Sequence, residues 1–147
     1  MIRSPIGVRR EVEDTLKMLR LKAVNNCAIV PESPEVKGMI EKVKDVVTYG
    51  EVEENIVVEI LKKRLRLKNG EHIDEKNLKQ FTDFDKFENF AKEISEGRVK
   101  LKDFENVQPI FRLTPPSKGF NSVKEAYPKG DVGYRGKEIN ELLRRMI

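Results

Sequence analysis

The 147-residue sequence predicts an α+β chain: a βαβαβ unit in the first fifty residues, then a helical extension and a long basic C-terminal loop. Three observations carry that reading. Up to Gly50, short apolar runs bounded by Pro or Gly alternate with segments of helical period. From residue 53 to 96 the apolar spacing is mainly helical. Between residues 114 and 136 periodicity gives way to Pro115, Pro116, Gly119, Pro128, Gly130, Gly133 and Gly136, the composition of a loop.

The elements follow in order. Residues 1–6 are a short strand candidate that Pro5 and Gly7 end. Val8, Val12, Leu16 and Leu19 share one face of a helix over 9–19. Residues 27–30 read as a short buried strand closed by Pro31. Ser33 then offers an N-cap, with Pro34 at the first helical position. Val36, Met39, Ile40 and Val43 form that helix's apolar face, and residues 46–49 make a third strand that Gly50 breaks. A helix over 53–64 presents Ile56, Val57, Ile60 and Leu61. Asn69-Gly70 is a turn flanked by Leu65, Leu67 and Ile73, which suits a small hairpin. Phe84, Phe87, Phe90, Ala91 and Ile94 face inward from a helix over 83–96, stopped by Gly97; their helical spacing favours core over a base-stacking platform. A strand over 109–113, the loop, and a helix over 137–146 built on Ile139, Leu142, Leu143 and Met146 complete the chain. The implied organisation is a core domain at 1–52, a helical extension at 53–106, and a strand, basic loop and helix at 107–147. A structureless loop as long as 114–136 is functional or disordered in a compact domain.

Charge is distributed unevenly. The net charge is +4, yet residues 1–23 hold six Lys/Arg against three acids and residues 107–147 hold eight against four. A polyanion would meet the two ends. The bland alternative is a solvated charged surface. One cysteine, Cys27, excludes an internal disulfide framework and fits a reducing cytoplasm; beside Ala28, Ile29 and Val30 it reads as a small buried hydrophobe. No apolar run reaches the ~18 residues of a membrane span.

Catalytic chemistry has little to stand on. His72 is the single histidine and lies beside the Asn69-Gly70 turn, so a histidine triad or metal cluster is not expected. No acidic pair stands out. Gly130, Gly133, Gly136 and Lys137 have the wrong spacing for a phosphate loop, and Glu138 stands where Ser or Thr is needed. No cofactor is expected. What is present is Lys and Arg interleaved with Gly and Pro, the composition of segments that follow an RNA backbone and commonly order on binding.

The segments Ser4-Pro5-Ile6-Gly7, Asp14 to Leu21, Val24-Asn25 and Gly38 to Val43 resemble the start of the large-subunit ribosomal protein L-thirty family (L-seven in eukaryotic cytoplasmic ribosomes). Phe111 to Pro116 with Gly119-Phe120, and Gly133 to Gly136 with Ile139 to Met146, resemble its longer archaeal and eukaryotic members. The resemblance implies a ferredoxin-like βαβαβ core: a three-stranded antiparallel sheet with two helices on one face. Bacterial members stop near the equivalent of residue 53, so this chain looks archaeal in type, without the basic N-terminal arm of eukaryotic members. Where the family usually has Arg-Gly-Gly after the paired prolines, this chain has Ser117-Lys118-Gly119, and Lys118 is the expected cation.

The implied role is a non-enzymatic, monomeric constituent of the large subunit in cytoplasmic ribosomes. It binds ribosomal RNA and neighbouring ribosomal proteins, with no membrane and no small-molecule substrate. The expected RNA contacts are Arg3, Arg9, Arg10, Arg20 and Lys22 near the start, Lys37 on the second helix, and Arg112, Lys118, Lys124, Lys129, Arg135 and Lys137 in the C-terminal segment; Tyr134 is a candidate for stacking on a base. Two other classes are weighed against this. A small ferredoxin-like acyl- or phosphoryl-transfer enzyme needs a convergent polar pocket. A protein-only adaptor needs a contiguous apolar patch and has no RNA affinity.

Overall fold

A computed structural model describes all residues, 1–147. In chain order the elements are α1 (Arg10–Met18), β1 (Asn26–Cys27), α2 (Pro34–Val43), β2 (Thr48–Tyr49), α3 (Glu54–Arg64), α4 (Glu75–Phe81), α5 (Phe87–Ser95), β3 (Phe111–Arg112), β4 (Gly133–Tyr134) and α6 (Ile139–Met146). Short 3-10 turns occupy Leu101–Asp103 and Gly136–Glu138. No helix is long and apolar enough to cross a membrane.

Helices α1, α3, α5 and α6 pack their apolar faces into a core, whereas α2 fully buries only Val43 of its apolar face. Leu16 is buried on α1, with Val8 and Val12 packed against the same core. Acids in the first turn and Lys17 in the last suit the α1 dipole. Ser33 caps α2, its Oγ accepting from the Val36 amide at 3.2 Å, and Pro34 opens the helix. Ile56, Val57, Ile60 and Leu61 are all buried on α3, as are Ile139, Leu142, Leu143 and Met146 on α6. The Asn69-Gly70 turn closes a minimal hairpin in which Arg66 faces His72.

Two apolar cores result. A small one of seven buried residues joins Met1 to Leu16, Leu19 and Leu21 around α1, to Val43 at the end of α2, and to Val46 and Val47 just after it. The larger, of twenty buried residues, gathers α3, α5, α6 and Phe111. It therefore draws on both the middle and the C-terminal third of the chain. Phe84 lies outside α5, contrary to the periodicity reading, and stacks on Phe90 with ring centroids 5.0 Å apart. The one helix that spacing does not announce is α4: of its seven residues only Leu78 is buried.

The strands differ most from expectation. The structure has two two-stranded sheets where one three-stranded sheet is implied. β1 pairs antiparallel with β3, Asn26 opposite Arg112; β2 pairs in parallel with β4, Tyr49 opposite Tyr134. Residues 1–6 form no strand. The amides of Ile2 and Arg3 both donate to the Val46 carbonyl, and the Met1 carbonyl accepts from Asn25. Consecutive Met1 and Ile2 are both buried, so alternation is broken and no ladder develops. Each paired strand of the first fifty residues thus takes its partner from the C-terminal third.

Candidate nucleic-acid interface

Residues 121–135 lie in the expected loop and run mostly as turns and bends up to the two-residue strand Gly133–Tyr134. Asp131, only 2% exposed, organises them. Its Oδ2 accepts from the amides of Asn121 (2.5 Å) and Ser122 (3.3 Å). Its Oδ1 pairs with the Arg135 guanidinium, which also donates to the Asp131 carbonyl and lies 4.8 Å from the centre of the Tyr127 ring. Burial alone pushes the Asp131 carboxyl up, but Arg135 and the two amides outweigh it and hold the group below its usual range. Backbone bonds from Tyr127 to Val132 (2.9 Å), Gly130 to Ala126 (2.9 Å) and Asp131 to Ser122 (2.8 Å) close the bend. A side chain at Gly130 would run into the Glu125 carbonyl, which accounts for glycine there.

The bend is tied to the first fifty residues. Gly133 donates to the Val47 carbonyl and Arg135 to that of Tyr49. Gly50 lies so close to the Gly136 carbonyl that no Cβ fits between them. Asn140, buried at the start of α6, accepts from the Glu53 amide and donates to the Glu51 and Lys137 carbonyls. It joins the last helix to the start of α3.

Arg135 corrects the sequence reading. It is 8% exposed and its charge is spent on Asp131, so it holds the loop in shape and offers no guanidinium to an outside phosphate. Lys37 is exposed but paired with Glu32 at 2.6 Å. The other expected cations, Arg3, Arg9, Arg10, Arg20, Lys22, Arg112, Lys118, Lys124, Lys129 and Lys137, are exposed. Among all cations of 1–23 and 107–147, only Lys17 and Arg135 have a carboxylate within 4 Å. Tyr134 is 56% exposed; its hydroxyl donates to Glu51 at 2.7 Å and its ring tilts against Tyr49.

Backbone geometry singles out four of these positions. Arg9 and Arg10 sit at the start of α1, which no side chain caps, and cations there oppose the helix dipole. Arg20 follows α1 at φ +62, with its amide on the Lys17 carbonyl and that of Leu21 on Leu16. This is the Schellman geometry, in which glycine is usual. Lys118 also lies in the left-handed region, at φ +71.

One cation from each basic end, Arg3 and Lys124, lines an open cleft of about 530 Å³. Arg3 reaches it from the first segment, Lys44 and Asp45 from the end of α2, Tyr49 from β2, and Lys124 and Tyr134 from the loop and β4. Sequence reading missed Lys44, Asp45, Tyr49 and Asp131. None carries a motif; only the pairing of β2 with β4 assembles them. No group of three or more His, Cys, Asp or Glu is placed to hold a metal ion. Burial pushes the Cys27 thiol up, away from a nucleophilic thiolate.

Comparison with known proteins gives a consistent result. Residues 1–47 match the family described as ribosomal protein L30p/L7e. The chain is 40% identical over 145 residues to the large ribosomal subunit protein uL30 of Archaeoglobus fulgidus, covering 99% of this chain and 95% of that one. The protein of the same name from Methanopyrus kandleri is 42% identical over 149 residues, 99% and 100% of the two chains. That of Thermoplasma volcanium is 40% identical over 147 residues, covering 99% and 89%.

Proposed function

The chain belongs to the ribosomal protein L30p/L7e family, and from that premise we propose that it is a structural constituent of the large ribosomal subunit that binds ribosomal RNA through its two basic ends. Its role is non-enzymatic. The observation that carries the RNA reading is that Arg3 and Lys124, exposed cations without carboxylate partners from the two ends of the chain, line one cleft beside the β2–β4 pair. Such cations release counterions when they meet phosphates.

Arg3, Lys118, Lys124 and Lys129 are the contacts favoured by this reading, with Arg9 and Arg10 adding two exposed guanidiniums at the start of α1. Arg20, Lys22, Arg112 and Lys137 extend the basic surface; Lys37 contributes only where RNA displaces Glu32. Residues 1–52 are read as an abbreviated ferredoxin-like unit, its first segment lying beside β1 and Val46. Residues 53–106 and 107–147 are a second unit sharing the larger core. The partners are large-subunit RNA and adjoining ribosomal proteins, met by a single copy in the cytoplasm.

The test is sedimentation of the tagged chain from lysate through a sucrose gradient, with and without ribonuclease. Co-migration with the large subunit, abolished by ribonuclease and weakened in Lys118→Glu/Lys124→Glu/Lys129→Glu, is expected. A protein that stays at the top of every gradient overturns the proposal.

A further inference from the structure

The cleft between the first segment, the end of α2 and β4 has a composition that phosphate neutralisation alone does not call for. Its volume of about 530 Å³ falls within the ~300–1,000 Å³ of small-molecule sites. Its lining brings Tyr49, Tyr134 and Val132 together with the cations Arg3, Lys44 and Lys124 and the carboxylates Glu41 and Asp45. A site for phosphates only would gain nothing from aromatic rings and would be weakened by carboxylates.

We infer that this cleft receives a single unstacked guanine nucleotide of the RNA, its base on Tyr134, its phosphates on Arg3 and Lys124, and its Watson–Crick edge on Asp45. The inference rests on the RNA-binding reading above. The exposed Tyr134 ring is set in advance by its hydroxyl bond to Glu51 and by Tyr49, 5.6 Å away between centroids. A base therefore meets a fixed face with little further ordering of the side chain. Arg3 and Lys124 line the cleft without a carboxylate partner, leaving them for the phosphates on either side of the base.

The two carboxylates differ. Glu41 is bonded to Lys44 at 2.5 Å, whereas Asp45 has no cation within 4 Å. A free carboxylate has two acceptor oxygens, and guanine is the base that offers two adjacent N–H donors, N1 and N2, on one edge. Adenine and cytosine offer one amino group next to an acceptor, and uracil one N–H between two acceptors. An acceptor-only group in the lining therefore selects guanine.

Aromatic NMR of the intact protein tests this directly, because the chain has three tyrosines and no tryptophan. Titration with a single-stranded heptanucleotide carrying one central guanine among uracils is expected to shift the Tyr134 and Tyr49 ring signals upfield and to leave Tyr127 in place. An all-uracil heptamer is expected to bind about tenfold more weakly. Tyr134→Leu should remove the preference while retaining salt-dependent binding. Asp45→Asn should equalise guanine and adenine at the central position. Equal affinity for both heptamers, or a guanine preference untouched by Tyr134→Leu and Asp45→Asn, overturns the nucleotide site. If ribosomal RNA still binds with steep salt dependence, the broader function survives that result. Loss of both overturns the two together.

Discussion

The two basic ends of this chain are held in place by opposite means. The first twenty-three residues hang from apolar anchors: Met1, Ile2, Leu16, Leu19 and Leu21 are buried, and the cations project from the segments between them. The stretch from 121 to 135 has little apolar anchorage, chiefly Val132. A buried ion pair and two side-chain-to-amide bonds centred on Asp131 take its place. Apolar anchoring tolerates volume-conserving exchange. A polar latch does not, because losing one partner leaves the other buried and unsatisfied.

The largest expected contrast comes from breaking each anchor. Asp131→Ala leaves the Arg135 guanidinium buried without its partner, a loss of about 3–5 kcal/mol for such pairs. The damage should be local: faster hydrogen exchange and proteolysis across 121–135, with α3, α5 and α6 protected as before. Leu16→Ala costs about 2–5 kcal/mol through an unfilled cavity. Its effect should fall on residues 1–47 and leave the loop's internal bonds formed. If Asp131→Ala loosens the N-terminal unit as much as the loop, the two anchors are one.

Acid sharpens the same contrast. Asp131 is held below its ordinary value of 3.8, so its contribution is complete above that value and is lost as pH falls through the lowered one. Exchange protection in 121–135 should therefore decline below about pH 3.8, and Asp131→Asn should remove that step. Leu16 and Val43 carry no charge, so their packing supplies no step of its own. An unchanged acid profile in Asp131→Asn contradicts the latch.

A smaller effect separates stability from binding. Arg20 occupies a left-handed position that glycine fills without strain. Arg20→Gly should raise the denaturation free energy by about 1 kcal/mol while weakening RNA binding. Stability and affinity moving in the same direction would mean that the strained backbone is not kept for its cation.

The same contrast explains what was legible in the sequence. Helices α1, α2, α3, α5 and α6 follow from apolar residues recurring at helical spacing, and Ser33-Pro34 marks a start that the structure confirms. Strand partners were not legible. Runs of two residues carry no register signal, and β1 and β2 pair with segments some eighty-five residues later. Of the candidate site, the exposed cations were readable from composition. Arg135 was not distinguishable from Lys129 as a cation in a glycine-rich stretch. Only the fold shows that one is spent on Asp131 while the other is free. Asn140 is the same kind of residue, an ordinary helix polar in sequence and a junction in space.

The most direct measurement is the salt dependence of binding between the purified protein and large-subunit ribosomal RNA, for the wild type and for Arg3→Ala/Lys124→Ala/Lys129→Ala. Each lost phosphate contact lowers the slope of log affinity against log salt by about 0.7–0.9, so the triple variant is expected to lose about 2–3 from the slope. A slope equal to that of the wild type would show that these cations do not touch phosphate, and would contradict the account.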